Sequence, residues 1–268
     1  MSNLVAVGYL VAAVLFILGL KGLGRPRTAV RGNQLGALGM LVAVVVTLTD
    51  NAIISFGWII AGAVIGAVIG VLAATRVQMT SMPELVAIFN GFGGAASVLV
   101  AAASFIETTD LGLDSVRLNS TAAVTALIGA VTFTGSAIAF TKLAEMLSWS
   151  GPAALRWVNV ALALGAVACG IAMTMDPTNR TWLWLLVGIG GVLGITGVVN
   201  IGGADMPVVI ALLNSLSGIA AASAGFVLDN TVLIIAGALV GASGLILTNI
   251  MCRAMNRTLP NVLSLIHI

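Results

Sequence analysis

The sequence predicts an all-α integral membrane protein: a bundle of about nine transmembrane helices with a parallel internal repeat. Three observations support this prediction. The 268 residues are 60% hydrophobic and only 7% charged, whereas a typical soluble domain is about 25% charged. Apolar runs long enough to cross a bilayer recur along the chain, with most of the charged residues between them. One pattern that begins with Met-Pro occurs twice, and its two copies open two of these runs.

A helix of about 17 to 25 apolar residues crosses a hydrocarbon core of roughly 30 Å. The runs predict spans at approximately 4–20, 35–49, 52–74, 83–105, 119–140, 153–174, 181–200, 207–228 and 231–251. The second is short, and only the tripeptide "TDN" separates it from the third. The first run has no cationic stretch before it and no small-residue cleavage pattern after it, which favours a retained helix over a removed signal peptide.

The loop charges predict the orientation of these spans. One side of the membrane would hold nine of the eleven basic residues: Lys21, Arg25, Arg27, Arg31, Arg76, Lys142, Arg156, Arg253 and Arg257. The other side would hold only Arg117 and Arg180. Because cytoplasmic loops carry an excess of Lys and Arg, we expect the N-terminus outside and the C-terminus in the cytoplasm. A miscounted helix would scramble this division, so the charges support nine spans.

The repeat consists of "MPELVAIFNGFGGAAS", which begins at Met82, and "MPVVIALLNSLSGIAA", which begins at Met206. The two copies open the fourth and eighth spans, which enter the membrane from the same side. The repeat is therefore parallel, with its axis along the membrane normal. A weaker echo follows one helix later, in "IGAVTFTGS" (128–136) and "AGALVGASG" (236–244).

Polar side chains recur at one depth in these otherwise apolar helices. Asn90 and Asn214 follow the helix starts by about 10 Å, and Ser136 lies about 9 Å from the same surface on a helix that runs the other way. An unpaired amide or hydroxyl in hydrocarbon costs several kcal/mol, so each needs a partner. These residues either join helices through hydrogen bonds worth about 0.6 kcal/mol each or line a water-filled path. The motif alone does not decide between the two.

Ionisable side chains are missing from the interior of every predicted span, and the single histidine, His267, is in the tail. A proton pump usually keeps an ionisable group within the membrane. Either the protein moves no protons or a partner chain contributes the group. The nearest charged residues, Glu84, Asp205, Arg253 and Arg257, lie on the predicted cytoplasmic face. Asp205 could pair with either arginine or be solvated at the surface.

Glycine patterns allow further interpretations. The segment "GALVGASG" places Gly237, Gly241 and Gly244 along one helical face, which is typical of close helix packing and also compatible with a flexible helix. The segment "GFGGAA" (91–96) fits a relaxed dinucleotide fingerprint, but it lies inside a span with no strand before it, which argues against nucleotide binding. The two cysteines lack the spacing of a metal site or a disulfide framework. We expect no metal and no nucleic acid.

Four blocks together indicate a family: "MPELVAIFNGFGGAASVLV", "TFTGSAIAFTKL", "GADMPVVIALLNSLSGIAAA" and "GALVGASGLILTNIMCRAMNR". From the third helix to Arg257 the chain resembles the membrane domain of the beta subunit of proton-translocating nicotinamide nucleotide transhydrogenase. The resemblance implies a bacterial cytoplasmic membrane protein that couples proton movement to hydride transfer from NADH to NADP⁺. It further implies that NAD(H) binds a soluble domain on the alpha side and NADP(H) a Rossmann-like domain that follows this region. These helices would then contain no catalytic residue and bind no cofactor.

The resemblance also implies roles for individual residues. Asn214 matches an asparagine of the family's proton path, and Ser136 matches a serine on a neighbouring helix. We predict that Asn90, Ser136 and Asn214 form the proton pathway. The residues expected to transmit coupling to the nucleotide domain are Glu84, Asp205, Gly237, Gly241, Gly244, Arg253 and Arg257. Many family members have a titratable histidine at the Asn90 position, and asparagine cannot titrate. Our hypothesis is that a histidine on an alpha-type membrane helix packs beside the fourth helix and replaces it.

The predicted organisation is a transmembrane domain over 1–258 and a truncated linker or unnatural tail over 259–268, with the NADP(H)-binding domain absent. The expected partners are alpha subunits with membrane helices and an NAD(H)-binding domain, and the alpha–beta unit is expected to form a homodimer. An alternative is a stand-alone secondary transporter or channel whose parallel repeats enclose a solute site. A structural scaffold is a third possibility, and it would tolerate leucine at the paired asparagines.

Overall fold

The structure is a computed structural model that describes residues 3–49, 56–113, 115–149, 151–152 and 154–264. In these ranges the chain is helical, with no strand, and nine helices are long and apolar enough to cross a membrane. The prediction of an all-α membrane protein with about nine spans is confirmed. Residues 52–55 and 153, where the third and sixth predicted spans begin, lie outside the described residues, as does His267.

The helices follow one another with short connections. They are α1 (Asn3–Leu23), α2 (Pro26–Leu48), α3 (Phe56–Arg76), α4 (Met82–Asp110), α5 (Val116–Leu143), α6 (Leu155–Met175), α7 (Thr181–Val198), α8 (Met206–Val227), α9 (Thr231–Ala254) and the short α10 (Leu259–Ser264). A 3₁₀ turn precedes both α4 and α8, and a proline occupies the first turn of each of these helices. We call the end of the bundle where α4 and α8 begin the Met-Pro end.

The largest difference in length concerns α2. The apolar run predicts a span at 35–49, and the helix that contains most of this run begins at Pro26. The helix is longer than the run because the preceding residues, which include Arg27, Arg31 and Asn33, are helical as well. Proline suits the first turn of a helix, and long cationic side chains can extend from a helix to the bilayer surface. Helices α4 and α5 likewise extend beyond the predicted 83–105 and 119–140.

The first compact unit covers Met1–Val77. Helices α1 and α2 pack closely because glycines face each other: a Cβ atom placed on Gly22 would lie 2.8 Å from the Gly32 Cα. The Tyr9 and Thr47 hydroxyls join the two helices at 3.0 Å. This hairpin therefore combines backbone contact with a polar link, as lipid-embedded helices commonly do.

The second compact unit covers Gln78–Ile268 and contains the two copies of the repeat. Helix α5 is central to it, packing against α4, α6, α7 and α8. Phe105, Met173 and Leu183 belong to one buried core cluster, and Ile201 and Met206 belong to a second. The second cluster includes the connection that leads into α8, so it determines how the Met-Pro end is built.

Each copy of the repeat forms a hairpin with the same glycine contact. In α4–α5, a Cβ on Gly94 would lie 2.7 Å from the Gly129 carbonyl oxygen, and a Cβ on Gly129 would lie 2.8 Å from the Gly94 oxygen. In α8–α9, the corresponding distances for Gly218 and Gly237 are 2.8 and 2.7 Å. Gly129 and Gly237 hold the second position of the weaker sequence echo. The parallel repeat is thus built into the helix packing.

The glycine contact yields a stability prediction. Gly94→Ala should destabilise the membrane protein by about 1–3 kcal/mol, because the new methyl group meets backbone atoms of α5 that must move. Gly93→Ala is the matched control, since a Cβ at that position meets nothing within 4 Å. Circular dichroism recorded during a titration with denaturing detergent measures the free energy of unfolding of both variants. Equal stability of the two variants would contradict the packing described here.

Candidate functional site

Three helices of the second unit meet at a polar cluster formed by Asn90, Ser136 and Ser217. Asn90 on α4 donates from Nδ2 to the Ser136 Oγ on α5 at 2.9 Å. The Ser217 hydroxyl on α8 donates to the Asn90 Oδ1 at 2.8 Å. Ser136 is fully buried, whereas Asn90 and Ser217 are partly buried. The amide of Asn90 therefore links α4 to both α5 and α8 within an otherwise apolar region.

Small residues allow the cluster to form. A Cβ atom on Gly91 would lie 3.2 Å from the Ser136 Cβ, so α4 and α5 are in close contact at this level. A Cβ at position 91 would be tighter than an ordinary contact, so α5 would have to shift by a few tenths of an ångström. The glycine after Asn90 thus permits the close approach at which the amide meets the Ser136 hydroxyl.

Asn214 is not part of this cluster. Its side chain is exposed on the surface of α8 and has no hydrogen-bond partner among the described residues. Ser217, three residues further on, faces Asn90 instead. Asn214 lies at the predicted depth of Asn90 and Ser136, but a three-residue step along α8 rotates the side-chain direction by about 60° and gives the contact to Ser217. Ser217 was missed, although it is a hydroxyl in the same copy of the repeat.

The predicted glycine face of α9 packs on α8. Gly237, Gly241 and Gly244 are all buried there, and a Cβ on Gly244 would lie 2.8 Å from the Ser215 Cβ. The Ser215 hydroxyl, fully buried, donates to the Gly241 carbonyl oxygen at 2.7 Å. This bond fastens the two backbones together at the point of closest approach. Ser215, which follows Asn214 directly, was not among the predicted site residues.

A charge pair occupies the Met-Pro end. Arg257, after α9, donates from Nη1 to the Asp205 Oδ2 at 2.5 Å. The Asp205 side chain is 11% exposed and that of Arg257 is 43% exposed. The second carboxylate oxygen, Oδ1, is buried and has no hydrogen-bond partner among the residues that the structure describes. Arg253 is exposed and Glu84 partly buried, and neither forms an ion pair with another described residue.

The polar cluster and the charge pair both include a residue of, or next to, helix α8. Asp205 is the N-cap of this helix and Ser217 lies about three turns along it, so the polar cluster and the charge pair are joined by one rigid element. The cluster offers hydroxyl and amide groups for hydrogen bonding but no titratable side chain. Among the described residues no group of three His, Cys, Asp or Glu side chains could hold a metal ion.

A cavity of about 280 Å³ opens in another part of this unit. Its lining is apolar except for two hydroxyls and consists of Ser120, Ala123, Val124, Leu127, Ala166, Val167, Gly170, Ile171, Thr174 and Leu186. None of these residues belongs to α4 or α8. The cavity therefore does not provide a polar solute site between the two helices that open with Met-Pro.

Comparisons with known proteins agree on one family. The family model described as NAD(P) transhydrogenase beta subunit matches residues 5–266. The chain is 39% identical to NAD(P) transhydrogenase subunit beta of Rhodospirillum rubrum over 267 residues, which is 97% of this chain and 58% of the relative. A second sequence with the same description, from a named strain of that species, gives the same values. The chain thus spans less than two thirds of the length of these curated relatives.

The polar cluster predicts coupling between two substitutions. Asn90→Ala and Ser217→Ala should be non-additive by about 0.6 kcal/mol, and at most about 1.7 kcal/mol, because they remove the same interhelical bond. Ser243→Ala is the matched control, since the Ser243 hydroxyl bonds only to the Val240 carbonyl of its own helix. Detergent unfolding of the single and double variants measures the coupling. Additive effects for Asn90 and Ser217 would contradict the bond.

The charge pair predicts a difference between two arginines. Arg257→Met should destabilise the protein by about 1–3 kcal/mol, because it leaves the mostly buried Asp205 carboxylate without its charged partner. Arg253→Met should have little effect, since Arg253 is exposed. Adding Asp205→Asn to Arg257→Met should restore part of the loss. Thermal unfolding of the membrane protein measures all three variants, and equal melting points for the two arginine variants would refute the assignment.

Proposed function

Because this chain belongs to the NAD(P) transhydrogenase beta-subunit family, we propose that it forms the membrane domain that couples proton translocation to hydride transfer from NADH to NADP⁺. In this proposal, soluble domains of the holoenzyme bind NAD(H) and NADP(H) and carry out the hydride transfer. The helices of residues 1–258 bind no cofactor and move the proton. The observation that carries the proposal is the polar cluster at Asn90, joined through α8 to the charge pair at Asp205.

The cluster suits a proton path that passes between helices. Asn90 both donates and accepts a hydrogen bond, and the hydroxyls of Ser136 and Ser217 can exchange their bonds with water. An amide cannot take up a proton near neutral pH, so the titratable group must come from another chain. We assign this role to a histidine on a membrane helix of the alpha subunit.

Two surface features support a partner helix at this level. Phe89 and Phe92 on α4 are exposed next to Asn90, and Gly93 faces open space. Asn214 on α8 is exposed and unpaired within the described part of the chain. An unpaired amide in lipid costs several kcal/mol, so Asn214 needs a partner outside the described residues, which a partner helix or a water-filled path would supply.

Coupling then follows the shared helix. A change of protonation beside Asn90 alters the hydrogen bonds of Asn90 to α5 and α8. A shift of α8 then moves its N-cap residue, Asp205. Together with Glu84 and Arg253, the Asp205–Arg257 pair would face the NADP(H)-binding domain and respond to its nucleotide state. The glycine face of α9 keeps α9 in contact with α8 during this shift. By thermodynamic necessity the nucleotide state also changes the proton affinity, since coupling between two sites is reciprocal.

The proposed setting is the bacterial cytoplasmic membrane, with the N-terminus outside and the C-terminus in the cytoplasm. The excess of Lys and Arg on one set of connections supports this orientation. It places the Met-Pro end, with Asp205 and Arg257, on the cytoplasmic side, where the nucleotides are. We propose an alpha subunit with membrane helices and an NAD(H)-binding domain as partner, and a homodimer of the alpha–beta unit.

A liposome assay tests the proposal on the native-length beta chain assembled with its alpha subunit. The internal pH is followed while NADPH reduces an NAD⁺ analogue. Asn214→Leu should lower both proton movement and coupled hydride transfer by about tenfold or more, because it removes a group that hydrates or bonds the path. Asn249→Leu is the matched control, since Asn249 is also an exposed asparagine within a membrane helix and bonds to its own helix.

The outcomes separate the possible roles of Asn214. Loss of both activities in Asn214→Leu alone places this side chain in the coupled path. If both activities survive, Asn214 serves helix packing and its assignment fails. If the wild-type complex transfers hydride without moving protons, the proposed function fails as a whole.

A further inference from the structure

One cationic side chain has no role in the mechanism proposed above. Lys142 lies in the last turn of α5, and its Nζ donates a hydrogen bond to the backbone carbonyl of Ile201 at 3.0 Å. Lys142 is partly buried and forms no ion pair with another described residue. Ile201 is 2% exposed. The bond therefore joins the end of α5 to a buried point of the chain that is 59 residues away.

The bonded carbonyl lies in the connection between α7 and α8. This connection runs from Val199 to the 3₁₀ turn Gly203–Asp205, where α8 begins. A backbone carbonyl in such a connection has no intrahelical donor and needs a hydrogen-bond partner when buried, and an ammonium group is a well-suited donor. The Asp205 N–H donates to the Gly202 carbonyl at 3.1 Å. The segment from Ile201 to Asp205 is therefore only a few residues long and is held by a backbone hydrogen bond.

The same connection is also held by apolar contacts. Ile201 belongs to a buried cluster with Met206, Val208, Cys252 and Val262, drawn from α8, α9 and α10. Apolar packing keeps the segment against the bundle, but it does not fix the orientation of the segment, because hydrophobic contacts are non-directional. The Lys142 bond supplies the directional contact, since the donor and the acceptor must face each other.

We propose that Lys142 is a positioning residue that holds the Val199–Asp205 connection and thereby sets the geometry of the Asp205–Arg257 pair. This inference rests on the proposed function. Helix α5 then has two contacts that matter for coupling: Ser136 bonds to Asn90, and Lys142, six residues later, holds the segment that leads to Asp205. Six residues of helix span about 9 Å, so one rigid segment connects the polar cluster with the connection that leads to Asp205.

The contact of Lys142 with a backbone carbonyl differs from the behaviour of an ordinary surface lysine. Long lysine side chains near helix ends ordinarily extend their ammonium groups into water. Lys142 instead gives up part of its hydration for a backbone carbonyl, and Glu145, the next acidic residue in sequence, forms no ion pair with it. The contact is with the main chain, so it holds the connection whatever side chains the connection carries.

Three substitutions in the native-length beta chain, assembled with its alpha subunit, test the inference. Lys142→Met removes the donor but keeps an unbranched apolar stem, and Lys142→Arg keeps a cationic donor. Lys21→Met is the matched control, because Lys21 is the other lysine of the chain and also lies in the last turn of a membrane helix, exposed. The rate of hydride transfer in liposomes and the proton movement per hydride are measured for each.

Lys142→Met should lower coupled hydride transfer about tenfold. Lys142→Arg and Lys21→Met should stay within about twofold of wild type. A Lys142→Met variant with a wild-type rate, or a Lys142→Arg variant that loses as much as Lys142→Met, would overturn the inference. Wild-type complex that transfers hydride without moving protons would instead overturn the proposed function.

A second measurement does not depend on activity. Cys252 is buried in the cluster that contains Ile201, so its reaction with a maleimide reports on how firmly the connection covers it. In membranes that contain the complex with Cys169→Ser in the beta chain, Lys142→Met should speed the labelling of Cys252 about tenfold, as expected for a locally opened structure. Lys142→Arg and Lys21→Met should not. Unchanged labelling in Lys142→Met would show that Lys142 does not hold this segment.

Discussion

Helices in a bilayer gain little from burying apolar side chains against one another, because the lipid tails are equally apolar. Association must come from close van der Waals contact and from a few hydrogen bonds. In this chain the contact is made by glycine backbones, at Gly94 with Gly129 and at Gly218 with Gly237. The serine and asparagine links of these hairpins depend on that approach, since such short side chains cannot bridge helices held further apart.

The distribution of these links gives α8 a central position. It bonds to α4 through Ser217, to α9 through Ser215, and to the chain beyond α9 through Asp205. The link at Ser215 is fully buried, whereas those at Ser217 and Asp205 lie next to partly buried or exposed groups. The helix is thus firmly joined to one neighbour and joined to the others by bonds that another molecule can reach.

Apolar length predicted the number of helices, and the repeated Met-Pro motif predicted which of them correspond. Apolar length did not predict where α2 begins as a helix, because arginines that precede the apolar run belong to the helix. Depth along a helix follows from counting residues, so Asn90 and Ser136 were correctly placed at one level. The direction in which a side chain faces depends on packing, and for that reason Asn214 could not be distinguished from Ser217. The choice of Arg257 over Arg253 as the partner of Asp205 likewise depends on how the chain turns after α9.

The two hairpins carry their serines on opposite helices. In α4–α5 glycine stands at position 91 and the hydroxyl at Ser136, whereas in α8–α9 the hydroxyl is at Ser215 and glycine at position 244. The Ser215 hydroxyl donates its hydrogen bond to a backbone carbonyl of the neighbouring helix and so holds the two helices of its hairpin together. Ser136 meets a side chain on a neighbouring helix, and that bond can be exchanged without unwinding any backbone. The two copies of the repeat therefore share the glycine contact and differ in what their serine holds: a backbone carbonyl in α8–α9 and the side chain of Asn90 in α4–α5.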